Sequence, residues 1–215
     1  MNLSRHVLTL MDTPKDTEAQ TGDAWPFAAR ALIDSLLREN ANLRTEIKKL
    51  NERIELAEQT ASQDVLTPTL NRRAFVHEMT RAMADCRRYG EEASLIFLDM
   101  DGFKAVNDTY GHAAGDAALI YVAETLKSNI REGDSVGRIG GDEFAVLLRH
   151  ADADIARAKA GKLEAELEIG TFAHGGLYLK IGGSFGVRAY ENHHSAEAWL
   201  AEADAAMFLV KKSSR

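Results

Sequence analysis

One segment constrains this chain more than any other: Arg138-Ile139-Gly140-Gly141-Asp142-Glu143-Phe144-Ala145-Val146-Leu147-Leu148. Two adjacent glycines separate apolar, strand-like runs. The pattern predicts a tight hairpin from about Asp134 to Arg149, since glycine reaches positive φ without steric cost. Two carboxylates, Asp142 and Glu143, stand at its tip. They do little to stabilise a strand, and they suit a hard cation such as Mg²⁺.

The 215 residues are enough for one well-buried domain and an extension. A formal net charge of −7 argues against general nucleic-acid binding through phosphates, although a local cluster of cations could still hold one phosphorylated ligand. Cys86 is the only cysteine, which excludes an intramolecular disulfide and a thiolate cage for zinc. No apolar run approaches a membrane span, and the N-terminus lacks the apolar core of a secretory signal. The expected location is the cytoplasm.

Three regions follow in order. Residues 1–26 read as a flexible polar tail. Residues 27–63 contain no Gly or Pro and carry a heptad pattern. Ile33, Asn40, Ile47 and Ile54 fall at position a; Leu36, Leu43, Leu50 and Ala57 fall at position d. Ile at a with Leu at d predicts a parallel two-stranded coiled coil, and Asn40 at an a site sets register at a cost in stability. Glu39 at g would face Arg44 at e of a second chain. A single amphipathic helix lying on its own domain would show a wider apolar face than this seam.

Residues 64–215 read as the globular domain. Helices are expected from Asn71 to about Arg88, Ala113 to Ile130, Ile155 to about Glu168 and Ser195 to Lys212. The second of these should bury Ala117, Ile120, Val122, Ala123 and Leu126. Ser94–Met100 is a strand buried on both faces by its continuous apolar run. Tyr178–Ile181 and Ser184–Ala189 suggest further strands. The alternation predicts an α/β or α+β sandwich.

The buried strand runs directly into Asp99-Met100-Asp101-Gly102-Phe103-Lys104. A carboxylate where a strand leaves the core can hold a metal, and Gly102 lets the backbone approach a ligand. An Asp-rich turn alone would be unremarkable, but the segment continues through Asn107-Asp108, Gly111-His112 and Gly115-Asp116. Together these resemble the string D-x-D-x-F-K-x-x-N-D-x-x-G-H-x-x-G-D of the GGDEF family, the diguanylate cyclases that make cyclic di-GMP from two GTP. Asp64-Val65-Leu66-Thr67-Pro68-Thr69-Leu70-Asn71-Arg72-Arg73 resembles the family's opening D-x-L-T-G-L-x-N-R-R, with Pro68 and Thr69 as departures. Ala203-Asp204-Ala205-Ala206-Met207-Phe208 to Lys211 and Arg215 resembles its closing segment.

The resemblance implies a palm-like GGDEF domain with a βαββαβ core. It implies that Asp99 and Asp142 side chains and the Met100 carbonyl hold Mg²⁺, with Mn²⁺ as an alternative. It places the Gly102 and Phe103 amides and Lys104 on GTP phosphates, Asn107 and Asp116 on the guanine edge, and Lys211 and Arg215 on the β- and γ-phosphates. Asp142, Glu143 and Lys104 are the implied catalytic residues. Arg131-Glu132-Gly133-Asp134, with Lys162, resembles the site where cyclic di-GMP inhibits its own synthesis. His112 reads as ordering its loop. The implied reaction joins two GTP into cyclic di-GMP with loss of two pyrophosphates, in a homodimer held by the coiled coil. The alternative is a catalytically silent domain that binds GTP or cyclic di-GMP and signals by contact.

Overall fold

The computed structural model describes residues 27–60 and 62–213, with side chains for 31–51 and 62–212. The expected tail, Arg215, and the Ile54 and Ala57 seam side chains lie outside the described residues. The chain divides at Ile54/Glu55 into two units. Helix α1 (Phe27–Thr60) runs unbroken for 34 residues. Its seam residues Ile33, Leu36, Leu43, Ile47 and Leu50 are 41–57 % exposed. Asn40 accepts a hydrogen bond from Arg44 Nε of the same helix at 2.8 Å.

The second unit is built on a five-stranded sheet. Its strands are β1 (Leu70–Asn71), β2 (Ala93–Asp101), β3 (Ser135–Arg138), β4 (Glu143–Arg149) and, after a separate two-stranded ribbon of β5 (Phe172–His174) and β6 (Leu177–Leu179), β7 (Gly182–Ala189). The spatial order is β1-β3-β4-β2-β7. Every neighbouring pair is antiparallel except β1 with β3. Helices α2 (Arg72–Tyr89), α3 (Phe103–Tyr110), α4 (His112–Ser128), α5 (Ala153–Ile169) and α6 (Ala196–Ser213) complete the unit. From β2 to β7 the order is strand, helices, strand, strand, helix, strand, so the βαββαβ core is present within a mixed sheet.

Strand β2 is central and organises both layers, because successive side chains point to opposite faces. Ile96, Leu98 and Met100 join the core against α4 and α5. Leu95 and Phe97 join the core against α2 and α6. Strand β4 alternates likewise, with Phe144, Val146 and Leu148 on the first face and Ala145 and Leu147 on the second. Each such side chain contributes roughly 1.5–3 kcal/mol on burial, so neither strand can slip by one residue without exposing both cores.

Several expectations need correction. Gly140 and Gly141 are not in the positive-φ region, which among the described glycines holds Gly90, Gly102, Gly111, Gly175 and Gly176. Gly140 instead lies under the Glu143 side chain, whose Oε2 would stand 2.2 Å from an added Cβ and would have to rotate aside. Helix α4 turns Ala114, Ala118 and Leu119 fully inward, while Ala117 and Ile120 are only half-buried. Small alanines therefore carry more of that interface than the larger Ile120. The segment expected as strand Tyr178–Ile181 pairs only over Leu177–Leu179, in the ribbon with β5, and Tyr178 is exposed. Asn71 is not helical; it caps α2, its Oδ1 accepting from Ala74 N at 3.0 Å. Helix α3 was not anticipated, because a single buried residue, Val106, gives it no periodic signature.

Helix α6 lies close enough to β7 that Gly186 has no room for a side chain. A Cβ there would stand 2.1 Å from Met207 N and 2.5 Å from Ala203 O, both backbone atoms that cannot rotate away. Gly186→Ala should therefore lower stability by about 3 kcal/mol. A lower urea midpoint at an unchanged slope checks it.

Candidate active site

The alternation that builds the core also aims the site. Asp99 continues the parity of Leu95 and Phe97, and Glu143 continues that of Ala145 and Leu147. Both carboxylates consequently emerge on the α2/α6 side, directly across from each other in the β2–β4 register. Met100 has the opposite parity and its side chain is buried, so only its backbone faces the site. Met100 N donates to Asp142 O at 3.1 Å, which pins the turn against the end of β2.

Gly102, at φ 75°, turns the chain from β2 into α3 through a backbone shape that other residues resist. The first amides of α3, those of Phe103 and Lys104, have no carbonyl one turn back to bond. Phe103 and Lys104 line a cleft of about 470 Å³ with Asp99, Met100, Asp142 and Lys211. Such a helix start beside a glycine suits phosphate oxygens. Asn107 rests its side chain against Gly115, where a Cβ would fall 2.1 Å from Asn107 Oδ1. Gly115 precedes Asp116, so α3 and α4 bring Asn107 beside the chain at Asp116.

A second cleft, of about 370 Å³, is lined by Glu143, Asp204, Met207, Phe208 and Lys212. Asp99 and Lys211 border both clefts. The Lys211 ammonium hydrogen-bonds to Asp99 Oδ1 and stands 3.5 Å from Asp101 Oδ1. Asp101 in turn accepts from Ser184 Oγ at 3.0 Å through both oxygens. Burial alone would lower the Lys211 pKa, but the bond and charge of Asp99, together with Asp101, hold it above the ordinary lysine value. Sequence reasoning did not anticipate this contact, since Lys211 and Asp99 are 112 positions apart.

Burial raises the Glu143 pKa above the usual carboxylate value, and the negative charges of Asp204, Asp99 and Asp142 raise it further, against a smaller opposing effect of Arg72. Crowded carboxylates of this kind are what a divalent cation relieves. The described residues hold no cluster of three or more His, Cys, Asp or Glu arranged around one point. Asp99, Met100 and Asp142, which line the first cleft, offer oxygen donors, the kind a hard divalent cation takes.

The hairpin is held from behind by Arg138. It donates to Gly141 O at 2.7 Å from Nη2, and its Nη1 meets Asp64 Oδ1 at 3.2 Å. Asp64 also accepts from Leu66 N, Thr67 N and Thr67 Oγ1. The buried Thr69 hydroxyl pairs with that of Thr67 at 2.8 Å, so this departure from the family opening carries its own hydrogen bond. Arg72 adds a bond to Ile139 O at 3.3 Å.

The other predicted group lies elsewhere on the unit. Asp134 accepts from Arg131 N and Arg149 N, both at 3.1 Å, closing the corner before β3. Arg131 is exposed. Lys162, on α5, faces Glu166 at 3.6 Å, and Glu166 also accepts from Asn129 at the end of α4. The Arg131 loop is thus tied to the α5 turn that carries Lys162.

A family model described as "Diguanylate cyclase, GGDEF domain" matches residues 61–215. The chain belongs to the GGDEF family. It is 36% identical over 188 residues to diguanylate cyclase TpbB of Pseudomonas aeruginosa, covering 86% of this chain and 41% of that protein. Against diguanylate cyclase DgcP of the same species the identity is 32%, over 85% of this chain and 27% of the relative. The chain thus spans about two-fifths or less of the length of these relatives. Among solved structures it resembles the coiled coil and GGDEF domain of DgcB from Caulobacter crescentus, crystallised with c-di-GMP. That match has a TM-score of 0.69 at 29% identity and covers 84% of this chain and 96% of that one.

Asp64 offers a pH test of the hairpin brace. Burial would raise its pKa, but the Thr67 amide and hydroxyl, the Leu66 amide and Arg138 outweigh this and leave it below the ordinary value. A depressed carboxylate pKa stabilises the fold above the unfolded value, here 3.8, and that contribution disappears as pH falls through the folded one. Asp64→Asn should cost about 1–2 kcal/mol at neutral pH. Unfolding curves of the two proteins should converge on acidification below pH 3.8.

Proposed function

We propose that this chain is a diguanylate cyclase that condenses two GTP into cyclic di-GMP, with Mg²⁺ or Mn²⁺ as its cation and the homodimer as its active form. The observation that carries the reading is the meeting of Asp99, Met100 and Asp142 with the first turn of α3 at one cleft. The family membership and the names of the relatives support it.

In this reading the Asp99 and Asp142 side chains and the Met100 carbonyl hold the cation, which when bound neutralises triphosphate charge and acidifies the attacking hydroxyl. The Gly102 and Phe103 amides and Lys104 hold the phosphates. Asp116 and Asn107 accept from the guanine N1–H and amino group, which a carboxylate and an amide oxygen match. Lys211, with Arg215, takes the β- and γ-phosphates. The 3′-hydroxyl oxygen of one GTP attacks the α-phosphorus of the other, and the bond to the β-phosphate breaks as pyrophosphate leaves. Asp142 receives the hydroxyl proton, and Glu143, folded over Gly140, orders the turn. A second such step closes the ring.

One domain holds one GTP, so two must meet. Residues 27–63 supply the second at high effective concentration through a parallel coiled coil. The exposed Ile33, Leu36, Leu43, Ile47 and Leu50 support this, since an isolated helix gains little stability while such a stripe stays wet. We assign residues 1–26 as a tail and 64–215 as the cyclase domain, working in the cytoplasm. Arg131, Asp134 and Lys162 would bind the product and slow the enzyme.

Turnover of GTP to cyclic di-GMP, measured with Mg²⁺ after bound product is stripped, tests the reading. Asp142→Asn should bring it to background with the fold intact, because the change is isosteric and the Met100–Asp142 backbone bond survives. A stripped wild-type protein that binds GTP without turnover would be a silent binding module instead. Arg131→Ala should leave initial rates similar and remove the slowing as product accumulates; equal slowing in both proteins would place the inhibitory site elsewhere. Replacing Ile47 and Leu50 together by lysine should give a monomer by light scattering, because unpaired charge would be buried in the seam. Its activity per molecule should fall steeply on dilution.

A further inference from the structure

The sequence motifs assign Lys211 to phosphate, yet its ammonium lies on Asp99, the carboxylate assigned to the cation. Asp101, which the proposed reaction does not use, is the second anion at that ammonium. Asp101 is not free to turn away, because Ser184, buried on the neighbouring strand β7, donates to both of its oxygens. Asp99 and Asp101 share one parity on β2, so both face α6, where Lys211 sits one turn beyond the buried Met207. The result is an ordered row: Ser184, Asp101, Lys211, Asp99.

We propose that Lys211 is the site's resident counter-ion, occupying Asp99 until a divalent cation arrives, and that Asp101 is a positioning residue that keeps the ammonium at the cleft once Asp99 is given up. This rests on the cyclase reading of Asp99 and Lys211 and adds the handover between them. A unit positive charge and a divalent cation on one carboxylate repel each other, even with one at each oxygen. Entry of the cation therefore weakens the hold of Asp99 on Lys211, which engages Oδ1 alone. Held by Asp101 on its other side, the ammonium has only a short distance to travel to the phosphates that arrive with the cation. Lys211 thereby neutralises Asp99 before the cation binds, and the cation binds best when phosphate is present to receive the lysine. This favours the cation–nucleotide complex over the bare cation.

The experiment measures Mn²⁺ alone binding to nucleotide-free, product-stripped full-length protein, by the loss of the free-ion electron paramagnetic resonance signal. Lys211→Met should bind Mn²⁺ on the order of tenfold more tightly than wild type, although the same variant binds a non-hydrolysable GTP analogue more weakly. A merely structural lysine would not produce opposite signs. Asp99→Asn should abolish the tightening in the Lys211→Met background. In a double-mutant cycle read by analogue affinity, Asp101→Asn should weaken binding in wild type and have little effect once Lys211 is methionine. Unchanged or weaker Mn²⁺ binding by Lys211→Met would overturn the counter-ion role, and additive effects would overturn the Asp101 role. If Asp99→Asn leaves Mn²⁺ binding intact, the cation assignment itself fails, which is a different outcome from either.

Discussion

The structure depends on the burial of β2 on both faces. Leu95, Ile96, Phe97 and Leu98 are almost wholly removed from water, and their alternation divides the domain into two cores. Because each side chain has an assigned face, the residues that continue the strand beyond the core inherit one too. Asp99 and Asp101 fall on the α6 side, and the buried Met100 side chain falls on the α4 side. The hydrophobic effect thus orients the polar end of the strand, with no need for a separate polar device to do so.

Around that end, the site is assembled by contacts with long separations in sequence. Antiparallel pairing with β4 sets Glu143 opposite Asp99. Arg138 and Arg72 hold the carbonyls of Gly141 and Ile139, so two cations brace a turn that carries two anions. Asp64 anchors Arg138 and closes the segment that leads into α2. Displacing this brace would move the turn that carries Asp142 relative to the end of β2.

Much of the site could be read from the chain. The buried strand, the hairpin, the capped helices and the Asp99–Asp116 segment all carry local patterns: a continuous apolar run, paired glycines, a 3.6-residue period, or an unbroken motif. What escaped notice lacked such a pattern. Helix α3 buries only Val106. The Ala114–Ala118–Leu119 face of α4 uses residues too small to dominate a periodic reading. Gly140 looks like a conformational glycine, yet its φ is not positive and the Glu143 side chain lies over it, which a linear string does not reveal.

The sequence by itself determined the family, the central strand with its hairpin and the main helices, because these are encoded in local runs and spacings. Tertiary structure decided who touches whom. Lys211 and Asp99 are 112 positions apart, Asp101 and Ser184 83, and Arg138 and Asp64 74. No periodicity links residues at such distances. They meet only because sheet register and helix packing, driven by burial of the two cores, leave these polar side chains at one edge, where electrostatics then selects the partners.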